Sequence, residues 1–171
     1  MSLNLINLDS ATRNNMIAEV DCDIEKNILY LSPRLNPKGI ANYPTILKDA
    51  ITNHDDTWLS SQLSGLMNAT EERKKPKGGF TIVSAPETLA EGEFNRFYAR
   101  GLCLRAIEEK VEYLIIYRAK VVTNPRPESQ AKIGTHINPQ ALLADLRKNI
   151  GVETALGLPP GPNSGLSVKL P

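Results

Sequence analysis

Residues 84–122 read SAPETLAEGEFNRFYARGLCLRAIEEK and then VEYLIIYRAKVV, and this stretch decides the fold. Ser84 is a candidate N-cap, Glu87 stands three residues on, where a capping box needs it, and Pro86 falls in the first turn. Phe94, Phe97, Tyr98, Gly101, Leu102, Leu104 and Ile107 recur at helical spacing. That pattern predicts the longest helix of the chain, with a broad apolar face against a core. The β-rich run 113–122 predicts a strand packed beneath it. A second strand, over 80–83, leads into the helix and is expected in the same small sheet.

Upstream, Asp9 and Ser10 can cap a helix running to about Ile24, with Met16, Ile17, Val20 and Ile24 at helical spacing. A short extended piece is expected over 28–31. Pro33, Pro37 and Pro44 then punctuate SPRLNPKGIANYP, which predicts a surface loop, with helix only over 45–53. A further short helix from Asp56 or Thr57 to about Leu66 would present Trp58, Leu59, Leu63 and Leu66. Downstream of the strand, proline again breaks the chain until Asn138-Pro139 opens the last helix. Arg147 and Lys148 lie at its favoured C-terminal end, and Gly151 stops it. The expected architecture is α+β: a compact helical domain of four or five helices with a small β-sheet and extended Pro/Gly-rich terminal arms.

Residues 1–150 read as a single domain with a flexible N-terminal segment, either a free arm or one that finds a groove. Residues 151–171 read as an extended arm. Glycine and proline dominate it, yet aliphatic side chains recur, unlike an ordinary disordered tail. The arm reads as built to lie extended on a surface, its own core or a neighbour's; on the second reading Leu156, Leu158, Leu166, Val168 and Leu170 are the partner-binding residues. Deleting 159–171 should on this reading leave the domain folded.

At 171 residues the chain is long enough for a sizeable core, and 41% hydrophobic with 23% charged residues is ordinary for a water-soluble domain. A net charge of +1 gives no general pull toward nucleic acid or an anionic membrane. Nothing reads as a leader or a membrane span, so folding in a reducing cytoplasm is expected. Cys22 and Cys103 lack metal-site spacing; Cys103 reads as a small core hydrophobe.

Arg73, Lys74, Lys75 and Lys77 form the one dense basic cluster. The plain reading is a solvated loop; the sharper one is a phosphate contact. His54 and His136 have no spacing that would make a metal site. Glu91 and Glu93 suit the positive end of the long helix, and Glu93 can pair with Arg96 at three residues. Arg96, Arg100 and Arg105 are either structural or intersubunit ion pairs or a solvated face. Glu112, Arg118 and Lys120 do not have the spacing of a nuclease site. No catalytic, cofactor-binding or metal residues are assigned, and the expectation is a protein without enzymatic activity or cofactor.

LAEGEFNRFYARGLCLRAI at 89–107, YRAK at 117–120 and ALGLPPGPNSGLSV at 155–168 are similar to small proteins of tailed bacteriophages and prophages encoded near their capsid genes. The resemblance covers roughly 73–170 and brings no mechanism or site residues with it. It implies a structural virion protein bound to capsid subunits, such as a cement, decoration or other head-associated protein. Such a protein would be present in many copies or as a homo-oligomer. It would be made in the host cytoplasm and located in the virion. A nucleic-acid-binding or packaging accessory protein using the 73–77 cluster is the alternative.

Overall fold

The computed structural model describes residues 3–68, 70–72, 80–82, 86–150 and 165–171. Helix α1 (Ser10–Glu25) begins where the Asp9 carboxylate accepts from the Thr12 N–H at 3.0 Å. Helix α2 spans Pro37–Asn53, and its cap is Asn36, which accepts from the Gly39 N–H at 2.8 Å. The loop expected up to Pro44 is therefore mostly helix. Asn36-Pro37 forms a complete start signal of its own, and Pro44 sits inside the helix. Pro44 removes the hydrogen bond to the Ile40 carbonyl, while Gly39, Tyr43, Leu47, Ala50 and Ile51 are buried along one face. Burial of that stripe outweighs the loss. Helix α3 (Asp56–Leu63) follows, capped by Asp55 on the Trp58 N–H at 2.8 Å.

Strands β1 (Thr70–Glu72) and β2 (Phe80–Ile82) pair antiparallel as a separate two-stranded sheet, with Glu71 opposite Thr81. The expectation of one sheet shared by 80–83 and 113–122 is thus corrected: the strands found in these runs, at 80–82 and at 114–118, lie in different sheets. Helix α4 (Pro86–Glu108) is the centre of the molecule and packs against α1 and α3. From Arg96 to Cys103 every residue is buried, so the middle two turns of this helix are enclosed on all sides rather than amphipathic. Ser84, the expected cap, lies outside the described residues.

Strand β3 (Leu114–Arg118) is the middle of a three-stranded antiparallel sheet. One neighbour is β4 (His136–Ile137), reached through the short helix α5 (Pro127–Lys132), where the sequence reading placed only a surface crossing. Helix α6 (Pro139–Lys148) is capped by the Asn138 side chain on the Ala141 N–H at 3.0 Å and packs on α4. The other neighbour of β3 is β5 (Leu166–Lys169), with Val168 opposite Ile116. Leu166 and Val168 are each 1% exposed. The arm was open between its own core and a neighbour's surface, with these two assigned to a partner; Leu166 and Val168 instead complete the core of their own chain, paired along the edge of β3. The described residues form six helices, two more than the lower expectation.

Of the two readings of the N-terminus, residues 3–8 take the second. Asn4 donates to the Ala119 carbonyl at 2.8 Å, the Leu3 N–H reaches both Asp56 carboxylate oxygens at 3.2 Å, and the Asn7 N–H donates to the Tyr98 hydroxyl at 3.1 Å. Tyr117 donates its hydroxyl to the Asn4 carbonyl at 2.6 Å.

Candidate functional site

Enclosure of α4 forces the charged residues on its buried faces to find partners, since an unpaired buried charge is very costly. Arg100 is the centre of the result. Its Nη1 and Nη2 donate to Asp23 at 2.6 and 2.8 Å, and its Nε donates to Glu19 at 2.6 Å. Both carboxylates come from α1, four residues apart on the side that meets α4. Arg147 of α6 closes the network by donating through Nε to Glu19 at 3.1 Å and through Nη2 to the other Glu19 oxygen. Two guanidinium groups thus balance two carboxylates. The Arg100 guanidinium also lies 4.9 Å from the centroid of the Phe97 ring, within cation–π range.

Burial alone would raise the Glu19 carboxyl, but hydrogen bonds and charge from Arg147 and Arg100 outweigh it and hold the group below its ordinary range. Arg100 is likewise held above its ordinary value by Asp23 and Glu19 against the effect of burial. Burial, with the Glu19 charge behind it, pushes the Cys103 thiol up to about 12. Such a thiol stays protonated and inert, as a core residue should. Glu93 differs. Burial pushes it up to about 6 against the pull of Arg96, whose Nε donates to it at 3.3 Å.

Arg96, Arg100 and Arg105 were open between ion pairs and a solvated face. All three are intramolecular ion pairs; Arg105 joins Asp9 at 2.6 Å and Glu109 at 2.7 Å. Glu91 accepts from Lys120 at 2.5 Å, a salt bridge between α4 and the segment just after β3. The sequence reading missed Glu19 and Asp23. The available signal was two acids four apart on a helix whose same face carries Met16 and Val20.

At the surface, one cleft of about 580 Å³ is lined by residues including Leu3, Leu5, Arg13, His54, Asp55 and Trp58. Its size suits a partner's side chains or a small molecule. Its polar groups hold the scaffold: Arg13 donates to the Ile51 and His54 carbonyls at the end of α2, and Asp55 caps α3. The His54 ring stacks on Trp58 at 4.1 Å, and His136 stacks on Tyr113 at 3.8 Å. Among the described residues no three His, Cys, Asp or Glu side chains come together to hold a metal ion. Nor is any described helix long and apolar enough to cross a membrane.

Arg73, Lys74, Lys75, Lys77, Leu156 and Leu158 lie outside the described residues. Leu170 is partly buried, and its N–H donates to the Asn7 side chain at 3.0 Å. Compared with known protein families, curated proteins and solved structures, the chain matches none.

Proposed function

We propose that this α+β protein is a structural component of a tailed-phage type of virion, binding capsid subunits as a cement, decoration or other head-associated protein. The reading rests on the resemblance drawn from 89–107, 117–120 and 155–168 in the sequence. Exposed aliphatic side chains are candidates for the contact. Ile24, Ile28 and Leu31, at the end of α1 and just after it, are 36%, 41% and 40% exposed. Burying the part of such side chains still in water against a capsid subunit contributes about 0.5–1 kcal/mol each before ordering costs. The test is occupancy on purified particles: the parent protein co-sediments with them, and Ile28→Asp with Leu31→Asp keeps its circular dichroism but loses most of its occupancy. A protein that never co-purifies with particles refutes the reading.

The alternative, an accessory protein that binds nucleic acid, has one observation in its favour. Arg73, Lys74, Lys75 and Lys77 bring four positive charges within five residues of sequence. Changing all four to Ala would then weaken binding and flatten its salt dependence, since each phosphate contact releases counter-ions. No binding by the parent at low salt removes this alternative.

A further inference from the structure

The cleft beside the junction of α2 and α3 brings three kinds of side chain together. Leu3, Leu5 and Leu8 of the N-terminal segment give it an apolar wall, His54 and Trp58 line it as a stacked pair, and Arg13 reaches it from α1. The two rings lie within 10° of parallel, and each keeps one face that the other does not cover. A flat aromatic group can extend such a stack, and about 580 Å³ is ample room for one.

Arg13 sets the charge that the cleft would accept. Its Nη1 alone holds the Ile51 and His54 carbonyls, at 2.5 and 2.9 Å. Among the described residues, its Nε and Nη2 have no hydrogen-bond partner, and no carboxylate stands within ion-pair distance of it. Arg100, Arg105 and Arg147 all have such a carboxylate. Asp55 lines the same cleft, but its Oδ1 is engaged on the Trp58 N–H at the start of α3. Burial accordingly pushes the Arg13 guanidinium below its ordinary value, by more than the Asp55 charge restores. A carboxylate brought to the two free donors supplies the missing counter-charge, since guanidinium N–H groups bind carboxylate oxygens in pairs.

We propose that this cleft is a binding site for a small aromatic carboxylate, its carboxylate held by Nε and Nη2 of Arg13 and its ring laid on the His54–Trp58 stack. Binding is reversible and no covalent bond changes. The site is independent of the virion reading, and its test needs no particles.

Trp58 is the only tryptophan of the chain, so its fluorescence reports on this cleft alone. The experiment titrates the full chain with benzoate and follows that signal. A saturable change is expected at roughly millimolar benzoate, the affinity that a ligand of this size commonly reaches. Benzamide keeps the shape without the charge, and cyclohexanecarboxylate keeps the charge without the flat ring. Each should require about tenfold more, as should benzoate with Arg13→Gln. Asp55→Asn retains a capping side chain but removes the opposing charge, and should tighten benzoate severalfold. A Trp58 signal that ignores benzoate, or that responds equally to benzamide, overturns the proposal. So does a benzoate response that Arg13→Gln leaves intact. Where Arg13→Gln loses its two carbonyl ties and fails to fold, the parent and Asp55→Asn decide: benzoate no tighter than benzamide, or no tighter in Asp55→Asn than in the parent, refutes the site.

Discussion

Arg100 and Asp23 form a two-pronged ion pair, 2.6 and 2.8 Å, between the central helix and α1, with almost none of either side chain in water. A pair so placed contributes less through its own attraction than through the penalty for breaking it, because a lone buried charge has neither water nor partner. Asp23→Ala is therefore expected to destabilise the fold by roughly 3–5 kcal/mol. Urea unfolding measures this as a lower midpoint with an unchanged slope. A loss within the range of a surface substitution would show that water reaches Arg100.

The same interface explains a glycine in the middle of the longest helix. A Cβ at Gly101 would stand 2.8 Å from the Met16 backbone nitrogen and 3.0 Å from the Thr12 carbonyl oxygen. Neither atom can move without shifting α1. Alanine normally gains about 1 kcal/mol over glycine inside a helix. Here the sign is expected to reverse: Gly101→Ala should lower stability by about 1–3 kcal/mol through overpacking. A raised thermal midpoint would contradict the backbone contact.

These two sites show what could be read from the chain and what could not. The 3.6-residue pattern through Phe94, Phe97 and Leu102 located α4, and Asn138-Pro139 located the start of α6, since both signals are local. Burial of Arg96 and Arg100 was not legible, because periodicity describes one face of a helix and cannot show that the other faces are covered too. Pro44 misled for a related reason: its local penalty is visible, whereas the tertiary burial of Tyr43 and Leu47 that outweighs it is not. β5 escaped because its ladder partner β3 lies far earlier in the chain, leaving Leu166–Lys169 to read as part of a tail.

Glu19 and Glu93 predict opposite pH dependences. Glu19 is held below its ordinary value, so its contribution is present above the unfolded value of 4.5 and is lost as pH falls through the lower folded value. Glu93 is raised from 4.5 to about 6, so the fold holds its proton more tightly than the unfolded chain does. Its contribution is full below 4.5 and is lost as pH rises through about 6, amounting to roughly 2 kcal/mol. Urea unfolding across this range is the measurement. Glu93→Gln should gain stability relative to the parent as pH rises from 4.5 to 6, and Glu19→Gln should lose less than the parent below 4.5. A parent-to-variant difference that is constant with pH would count against either assignment.

The C-terminal strand supplies the last test, and it reverses the expectation drawn from composition. Leu166 and Val168 are buried beside β3, so removing them exposes the centre of the sheet. The strand is also tied to the central helix: Asn95 donates to the Leu166 carbonyl at 2.8 Å and accepts from the Ser167 hydroxyl at 2.6 Å. Each lost aliphatic side chain removes about 1.5–3 kcal/mol of burial, a large part of the net stability of a domain this size. Gly165 cannot be replaced as a gentler probe, since its φ of +63° and a Cβ 2.7 Å from the Lys120 carbonyl oxygen would strain any substitute. Val168→Ala and a chain ending at Gly165 serve instead. The first should lower the thermal midpoint, and the second should unfold the protein at ambient temperature by circular dichroism. A shortened chain that keeps the parent's midpoint would show that β3 holds its place without β5, and would return the segment to the role of a docking arm.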